Sequence, residues 1–414
     1  MMNNRLMALV LVVWVGFFAA YANDGVYFVS GSHLEPMQET DISVKKELLT
    51  ITITDGPYAF VEVEYEFMNN GQAKDVMMGF EAKAPYNDGE PLNLKGVHPY
   101  IKDFSVVMNG ERLNYSNGVV FAEEQGNEYP KEVNEAIETG RHLIPVDFER
   151  WKYDEENSER LYNKQTDEYA DFAYAYYFNA HFNSGINTVR HTYSYQISYS
   201  VGQAFHIPYW LTPAMRWANH QIDDFTLRIK VDNCTKHFVI ENTPFSGSAF
   251  RVTAGKGKTR VLTKSNEDNV TLTEVVLRNG TVEWHRNNYH TEHDMDIDSA
   301  DILDYLVDWG NKPAPIYYDS SDTFSGWLIM GMDKDYSGYY PGKGTKKQIR
   351  DFITRVRRNL PYAHRGYVFK DATLRKFFES QWWYMPDPTW KATDNSFSEH
   401  EQYLIKNSGT FYDD

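Results

Sequence analysis

A two-residue alternation of apolar and polar positions governs the first part of the chain. "VEVEYEF", Val61 to Phe67, sets Val61, Val63, Tyr65 and Phe67 on one side and Glu62, Glu64 and Glu66 on the other, which is the period of a strand with one buried face. A helix would scatter those glutamates round its circumference. "LTITIT", Leu49 to Thr54, and "VRHTYSYQISYSV", Val189 to Val201, repeat the pattern. His191 falls on the apolar side of the second and is read as a packed strand residue. "FTLRIKV" (225–231), "HFVIE" (237–241), "TRVLT" (259–263) and "VTLTEVVLRNGTVEW" (270–284) continue it. Asn70-Gly71, Asn109-Gly110 and Asn279-Gly280 are read as tight turns, because Asn-Gly tolerates the positive φ angles of two-residue hairpins. Repeated short strands with such turns predict an antiparallel, sandwich-like body.

The period changes twice. "KEVNEAIETG" and "NSERLYNKQTDEYADFAYAYYF" are long, polar and aromatic, and residues 130–180 are read as a largely helical insertion. "SADILDYLVDW", Ser299 to Trp309, spaces Ile302, Leu303, Leu306 and Trp309 as a short helix. A Pro- and Asp/Ser-rich connector follows. From Thr345 the spacing is helical: Ile349, Phe352, Ile353 and Val356 share a stripe, with Lys346, Lys347, Arg350, Arg357 and Arg358 away from it. Pro361 is expected to stop that helix. Asp371 caps a second, with Leu374, Phe377 and Phe378 inward, and "SEHEQYLIKNSG" reads as a third, ending at Gly409.

Charge and cysteine usage narrow the setting. Residues 1–22 combine Arg5, the uncharged run Leu6–Ala20 and an A-x-A site at Ala20–Ala22, the form of a cleaved export signal and too short an apolar run for a spanning anchor. The expected mature chain therefore has no transmembrane span. Losing Arg5 takes the net charge from −17 to −18, against a nucleic-acid partner. Cys234 is the sole cysteine, so no intrachain disulfide can form; it is read as a small buried residue near a strand end. Residues 343–376 carry eleven Lys or Arg against Asp351 and Asp371. A stripe of that sign suits an anionic cell-envelope polymer, another envelope protein, or the acidic body of the same chain.

"RRNLPYAHRGYVFKDATLRKFFESQWWYMPD", Arg357 to Asp387, resembles the YARHG domain, a small extracellular bacterial module. The likeness covers about residues 345–408 and includes the Trp-Tyr pair and the last helix. It departs from the family pattern in two ways: His364 and Arg365 are exchanged, and Pro361 replaces an aliphatic residue. The resemblance implies an envelope or extracellular location, attachment to assorted other domains, and no defined activity. Gly366 permits a backbone turn there. Tyr362, Tyr367, Phe369, Phe378, Trp382 and Trp383 can supply the aromatic core a domain this small needs. Residues 23 to about 300, above all "YQISYSVGQAFHIPYWLTPAMRWANHQIDDFTLRIKV", resemble an exported bacterial domain family of unknown function.

Searching for chemistry yields little. "HRNNYHTEHDMDID" offers His285, His290, His293, Asp294, Asp296 and Asp298, but neither the H-E-x-x-H spacing nor the Gly and Glu positions of a calcium loop. No nucleophile elbow, phosphate-cradling loop or dinucleotide fingerprint occurs. The expected fold class is thus α+β: an antiparallel β-sandwich-like body with a helical insertion, plus a small C-terminal α-helical module. The divisions are 1–22 signal peptide, 23–300 β-rich domain, 301–342 connector and 343–410 YARHG-like domain. No catalytic residue, metal site or cofactor is assigned. Tyr362, His364, Arg365, Trp383 and Tyr384 are the candidate binding residues, packing being their competing role. The expected function is recognition or assembly in the envelope; the alternative is a hydrolase of envelope glycans or peptides using carboxylates of the body.

Overall fold

The computed structural model describes residues 31–32, 35–36, 41–83, 101–121, 145–154, 160–200, 203–265, 270–310, 340, 343–393 and 395–409. The expected leader, the first part of the expected insertion and residues 311–339 of the connector lie outside them. The strands are β1 (Gly31–Ser32), β2 (Glu35–Pro36), β3 (Ile42–Ile53), β4 (Tyr58–Asn69), β5 (Lys74–Lys83), β6 (Ile101–Met108), β7 (Glu111–Arg112), β8 (Ser116–Phe121), β9 (Trp151–Asp154), β10 (Arg160–Asn163), β11 (Glu168–Ala170), β12 (Phe172–Phe182), β13 (Gly185–Gln196), β14 (Ser198–Ser200), β15 (Gln203–Trp210), β16 (Ile222–Glu241), β17 (Arg251–Thr263), β18 (Thr271–Tyr289) and β19 (Met295–Ser299). The α-helices are α1 (Leu303–Leu306), α2 (Lys346–His364), α3 (Ala372–Ser380) and α4 (Glu399–Asn407). Among the described residues no helix is long and apolar enough to cross a membrane.

One sheet runs β7-β6-β13-β4-β3-β16-β19-β15-β1-β5-β12-β8, with β18 and β17 continuing outward from β16. Pairing is antiparallel except at β1·β15 and β3·β16. Its two halves face each other: Phe80 of β5 lies 4.9 Å from Tyr193 of β13, Phe104 of β6 4.8 Å from Tyr176 of β12, and Phe67 of β4 5.6 Å from Phe182 of β12, centroid to centroid. The alternation read from "VEVEYEF" is the inner face of β4, with Val61, Val63, Tyr65 and Phe67 all buried. His191 is buried among rings, stacked on Tyr193 at 5.8 Å. A bulge between Val44 and Lys46 shifts the parity of β3, so Glu47 joins Leu49, Ile51 and Ile53 inside, opposite Tyr65.

Three local expectations need correction. Within the expected insertion, the described residues 151–154 and 160–182 form strands and turns, not helix: β9, β10 and β11 form a small sheet over Trp151, Leu161 and Phe172, and β12 joins the main sheet. The alternation of small and aromatic residues in "FAYAYYF" is a strand pattern with both faces covered, which a helical reading of mixed polar text misses. Asn70-Gly71 is no hairpin, since β4 and β5 are not paired; the chain there passes from one layer to the other. Asn279-Gly280 is no hairpin either, because β18 runs straight through it. Asn109-Gly110 does close a two-residue hairpin between β6 and β7, with φ of 50° and 87°.

The C-terminal helices pack round Phe352, Val356, Leu360, Phe369, Phe378 and Trp383. α2 opens with a capping box between Thr345 and Gln348, and Asp371 caps α3 by accepting from the amides of Thr373 and Leu374. Pro361 does not stop α2, which continues to His364. Only one further turn follows the proline, and that turn is closed by a C-cap rather than by the missing Pro361 N–H.

Candidate functional site

The quoted string around Gly366 is a helix terminus. Gly366, at φ +87°, follows the last helical turn; its amide donates to the Ala363 carbonyl at 2.8 Å and that of Tyr367 to the Tyr362 carbonyl at 2.9 Å. This is a Schellman cap, whose usual apolar clasp is here the Tyr362–Tyr367 ring pair at 6.0 Å. Arg365 turns back to lay both terminal nitrogens on Glu401, 2.7 Å each, and also donates to the Pro361 carbonyl. Glu401, 1% exposed, additionally accepts the Ser398 amide in the capping box of α4. The module's first and last helices are joined by that carboxylate.

The outward face of β16, β18 and β17 receives this module. Cross-strand register sets three rows side by side: Thr235, Arg278 and Lys256; His237, Val276 and Lys258; Val239, Glu274 and Arg260. Against this mostly basic grid the module offers backbone carbonyls. Arg278 donates through Nη2 to the carbonyls of His364 and Met385, both at 3.0 Å. Lys258 donates to those of Trp382 and Tyr384 at 3.0 and 2.9 Å, and Lys256 to Asp387 at 2.5 Å. Val276 belongs to the module's apolar cluster. Trp382 lies under the Arg260 guanidinium at 4.4 Å. Among the described residues, the contacts at this face therefore run from basic side chains of the body to acceptors of the module.

Burial shapes the charges along this seam. Glu274 is fully buried; desolvation opposes its charge, but hydrogen bonds from His237 Nε2 (2.7 Å) and Arg260 outweigh it and hold the carboxyl below its ordinary range. Desolvation lowers the Lys258 ammonium. It also pushes His364 well below 6.5, with Arg365 and Arg278 adding to the effect, so the imidazole is neutral. Hydrogen bonds from Lys256 and Thr389 hold Asp387 far below the usual carboxylate range.

Next to Arg278 the three strands bulge together. Val231 pairs with Gly280 and Thr235 with Arg278, so Asp232, Asn233 and Cys234 oppose Asn279 alone. Asn233, Gly255 and Asn279 take positive φ of 59°, 70° and 44°, the conformation that Asn and Gly accept most readily. The belt floors a cleft of about 170 Å³, lined by Asp55, Asn233, Cys234, Thr235, Arg278 and Asn279 of the body and by His364, Arg365 and Trp390 of the module. Cys234 is buried and not in a disulfide. Neither the cleft nor Arg278 stood out in the sequence; Asn-Gly at 279–280 was the available sign of the bulge.

Of the five candidate binding residues, His364 and Arg365 line the cleft. Tyr362 packs on Phe397 at 4.6 Å, Trp383 is buried against Phe378, and the Tyr384 hydroxyl donates to the Tyr367 carbonyl at 2.6 Å. The His/Asp string disperses. His285 meets Asp224, His290 the His220 carbonyl, and Asp294 the amides of Leu211 and Thr212. Asp298 lies 2.5 Å and Asp296 3.6 Å from the two ring nitrogens of His206. Burial, with Asp298 and Asp294 adding, pushes Asp296 up to about 6 against the pull of His206, although half its side chain still reaches solvent. Among the described residues no three His, Cys, Asp or Glu are grouped to hold a metal ion.

Comparison with known proteins adds a family for one part. Residues 345–409 match the YARHG domain. No curated protein matches the chain. A crystal structure of a Legionella pneumophila protein described as a candidate nutrient-binding protein is similar at 16% identity and a TM-score of 0.48, over 93% of this chain and 99% of that one. An M1 zinc metallopeptidase from Deinococcus radiodurans (8% identity, TM-score 0.24) covers 63% of this chain and 43% of its own. Baculovirus P35 (11%, 0.22) covers 63% and 97%. Likenesses this distant carry no functional argument. The helical end of the chain, residues 345–409, is a YARHG domain joined to a β-rich body.

Proposed function

We propose that this is an exported bacterial envelope protein that acts by recognition or assembly, with its YARHG domain braced on the β body and presenting a basic surface to an anionic envelope polymer. One observation carries the reading. The signature residues serve the module's own cap and its docking, while Lys343, Lys346, Lys347, Lys370, Arg375 and Lys376 are exposed. A domain whose named motif is structural must meet partners through its surface, and this surface is cationic. The leader-like sequence and the exported character of YARHG proteins support the location.

The test uses the whole chain. Lys346→Glu and Lys347→Glu together should lower retention on isolated cell envelopes, and wild-type retention should fall with rising salt. Equal retention of the variant and wild type would remove the stripe from any binding role.

A hydrolytic reading would rest on Asp296 beside His206, a carboxyl of the body pushed up to about 6. Against it, His206 is 5% exposed and Asp298 is already engaged by Gln203 and His206. Turnover of envelope glycan or peptide that Asp296→Asn abolishes would establish it.

A further inference from the structure

The seam between body and module is rich in cations and poor in countercharge. Arg278 meets the carbonyls of His364 and Met385, and Lys258 those of Trp382 and Tyr384. Arg278 Nη1 is buried and makes no hydrogen bond within the protein. Both cations are thus desolvated against neutral acceptors, a costly arrangement for a charge. His364 closes this contact from the module side. Its backbone carbonyl holds Arg278, and its imidazole, 3% exposed, lines the cleft with Thr235 and Arg278. Trp383 of the module lies 6.1 Å from that ring. The charged and titratable groups that bear on it come from both parts: Arg365 next to it in the chain, Arg278 on β18, and His237 and Lys236 on β16. The carboxylates of the seam are engaged by other cations, Glu401 by Arg365, Asp55 by Lys236, Asp387 by Lys256, and Glu274 by His237 and Arg260.

We propose that the joint between β body and YARHG domain is an acid-sensitive latch, in which protonation of His364 releases the module from the face of β16, β17 and β18 while both parts stay folded. A proton on the docked imidazole adds a buried positive charge beside Arg278, Arg365 and Lys236. Release moves the ring away from Arg278, Lys236 and His237 and returns it to water, so the open form binds that proton more readily. In the docked form burial, with Arg365 and Arg278 adding, holds the imidazole well below 6.5. Its contribution to docking is therefore complete above 6.5 and is lost as pH falls below that value. Glu274 and Asp387 are both held below their ordinary range, so they keep their charge through the first step of acidification. Each part has a core of its own, the body round Phe80, Trp217 and Trp284 and the module round Phe352, Leu360 and Phe378. Val276 is the body residue that enters the module's cluster. A joint made mainly of polar contacts is the kind that opens without unfolding its partners. The inference concerns this joint and not the partner of the basic stripe, so either can fail without the other.

The experiment reads the seam through Cys234, the sole cysteine, which is buried and lines the cleft. The full-length protein is reacted with 4,4′-dithiodipyridine at pH 7.5 and at pH 5.0, with glutathione treated identically to correct for the ionisation of the thiol itself. Far-UV circular dichroism is recorded at both values. One and a half pH units below 6.5, the open form can gain at most about 30-fold on the docked one. Expected is a corrected rate at least about tenfold faster at pH 5.0 with circular dichroism unchanged, and a rise below about twofold in His364→Gln. That variant keeps the backbone carbonyl that Arg278 uses, and Asp296 and the other titrating groups still act in it. His364→Phe, a second ring without a titrating proton, should behave in the same way. No corrected rise in the wild type would overturn the proposal, whatever the variants do. An equal rise in wild type and either variant would overturn it too, because another group would then open the seam. So would a rise accompanied by loss of circular dichroism, which is unfolding and not release.

Discussion

Arg365 holds Glu401 through two parallel hydrogen bonds of 2.7 Å, so that the end of α2 and the start of α4 share one buried ion pair. Planar, two-point pairing is a property of guanidinium that an ammonium cannot reproduce. Arg365→Ala strands a carboxylate that is 1% exposed and should destabilise the module by about 3 kcal/mol or more. Arg365→Lys should fall between the two. Urea denaturation of the full chain measures both; a loss below about 1 kcal/mol for the alanine variant would place this pair with surface bridges.

Gly366 serves the cap and the seam together. An alanine there must hold φ near +87° and place its Cβ 2.5 Å from both Arg278 Nη1 and the Met385 carbonyl. The conformational part alone should cost about 1–2 kcal/mol, and displacing Arg278 adds to it. Limited proteolysis should then cut between body and module faster than in wild type. D-alanine, introduced by ligation, suits a positive φ and sets its methyl at the other Cα hydrogen, so it should recover the conformational part of the loss.

Glu274 links β16, β17 and β18 through His237 and Arg260. Glu274→Gln should lower stability at neutral pH by about 2–3 kcal/mol, since it removes one charge of a buried cluster. The folded pKa lies below the ordinary value of 4.5. Its contribution is therefore complete above that value and lost as pH falls through the depressed one. Denaturation midpoints of wild type and variant should draw together as pH falls below 4.5.

His364 and Asp296 pull acid stability in opposite directions. His364 stays neutral when folded, so below 6.5 the unfolded chain binds the extra proton and stability falls on acidification, by up to about 1.4 kcal/mol per pH unit. Asp296, raised to about 6, takes up its proton in the folded state first, so stability rises as pH falls from 6 towards 4. His364→Gln should gain on wild type as the solution is acidified below 6.5. Asp296→Asn should be ahead at pH 7 and lose its lead by pH 4. Urea midpoints between pH 4 and 7.5 read both, and parallel curves for all three proteins would contradict the assigned environments.

The sequence by itself determined what depends on near neighbours. The alternation in "VEVEYEF" reports the pleat of β4, the stripe Ile349 to Val356 reports the turn of α2, and Thr345, Asp371 and Ser398 mark helix starts because each cap bonds within three residues of itself. The YARHG string was legible for the same reason, since a Schellman cap is a local device. Tertiary structure alone decided the rest. Asn279-Gly280 carries the same dipeptide as Asn109-Gly110, yet it kinks a continuous strand, because β16 and β17 bulge at the same level and hold β18 extended on both edges. "FAYAYYF" became a strand through two neighbours, β5 and β8, that lie far away in sequence. Arg278 looked like one more strand arginine. Its unused donor, and the cleft beside it, exist only because residues 364–385 fold back onto that face, and hydrogen-bond geometry at such a distance leaves no periodic trace in the chain.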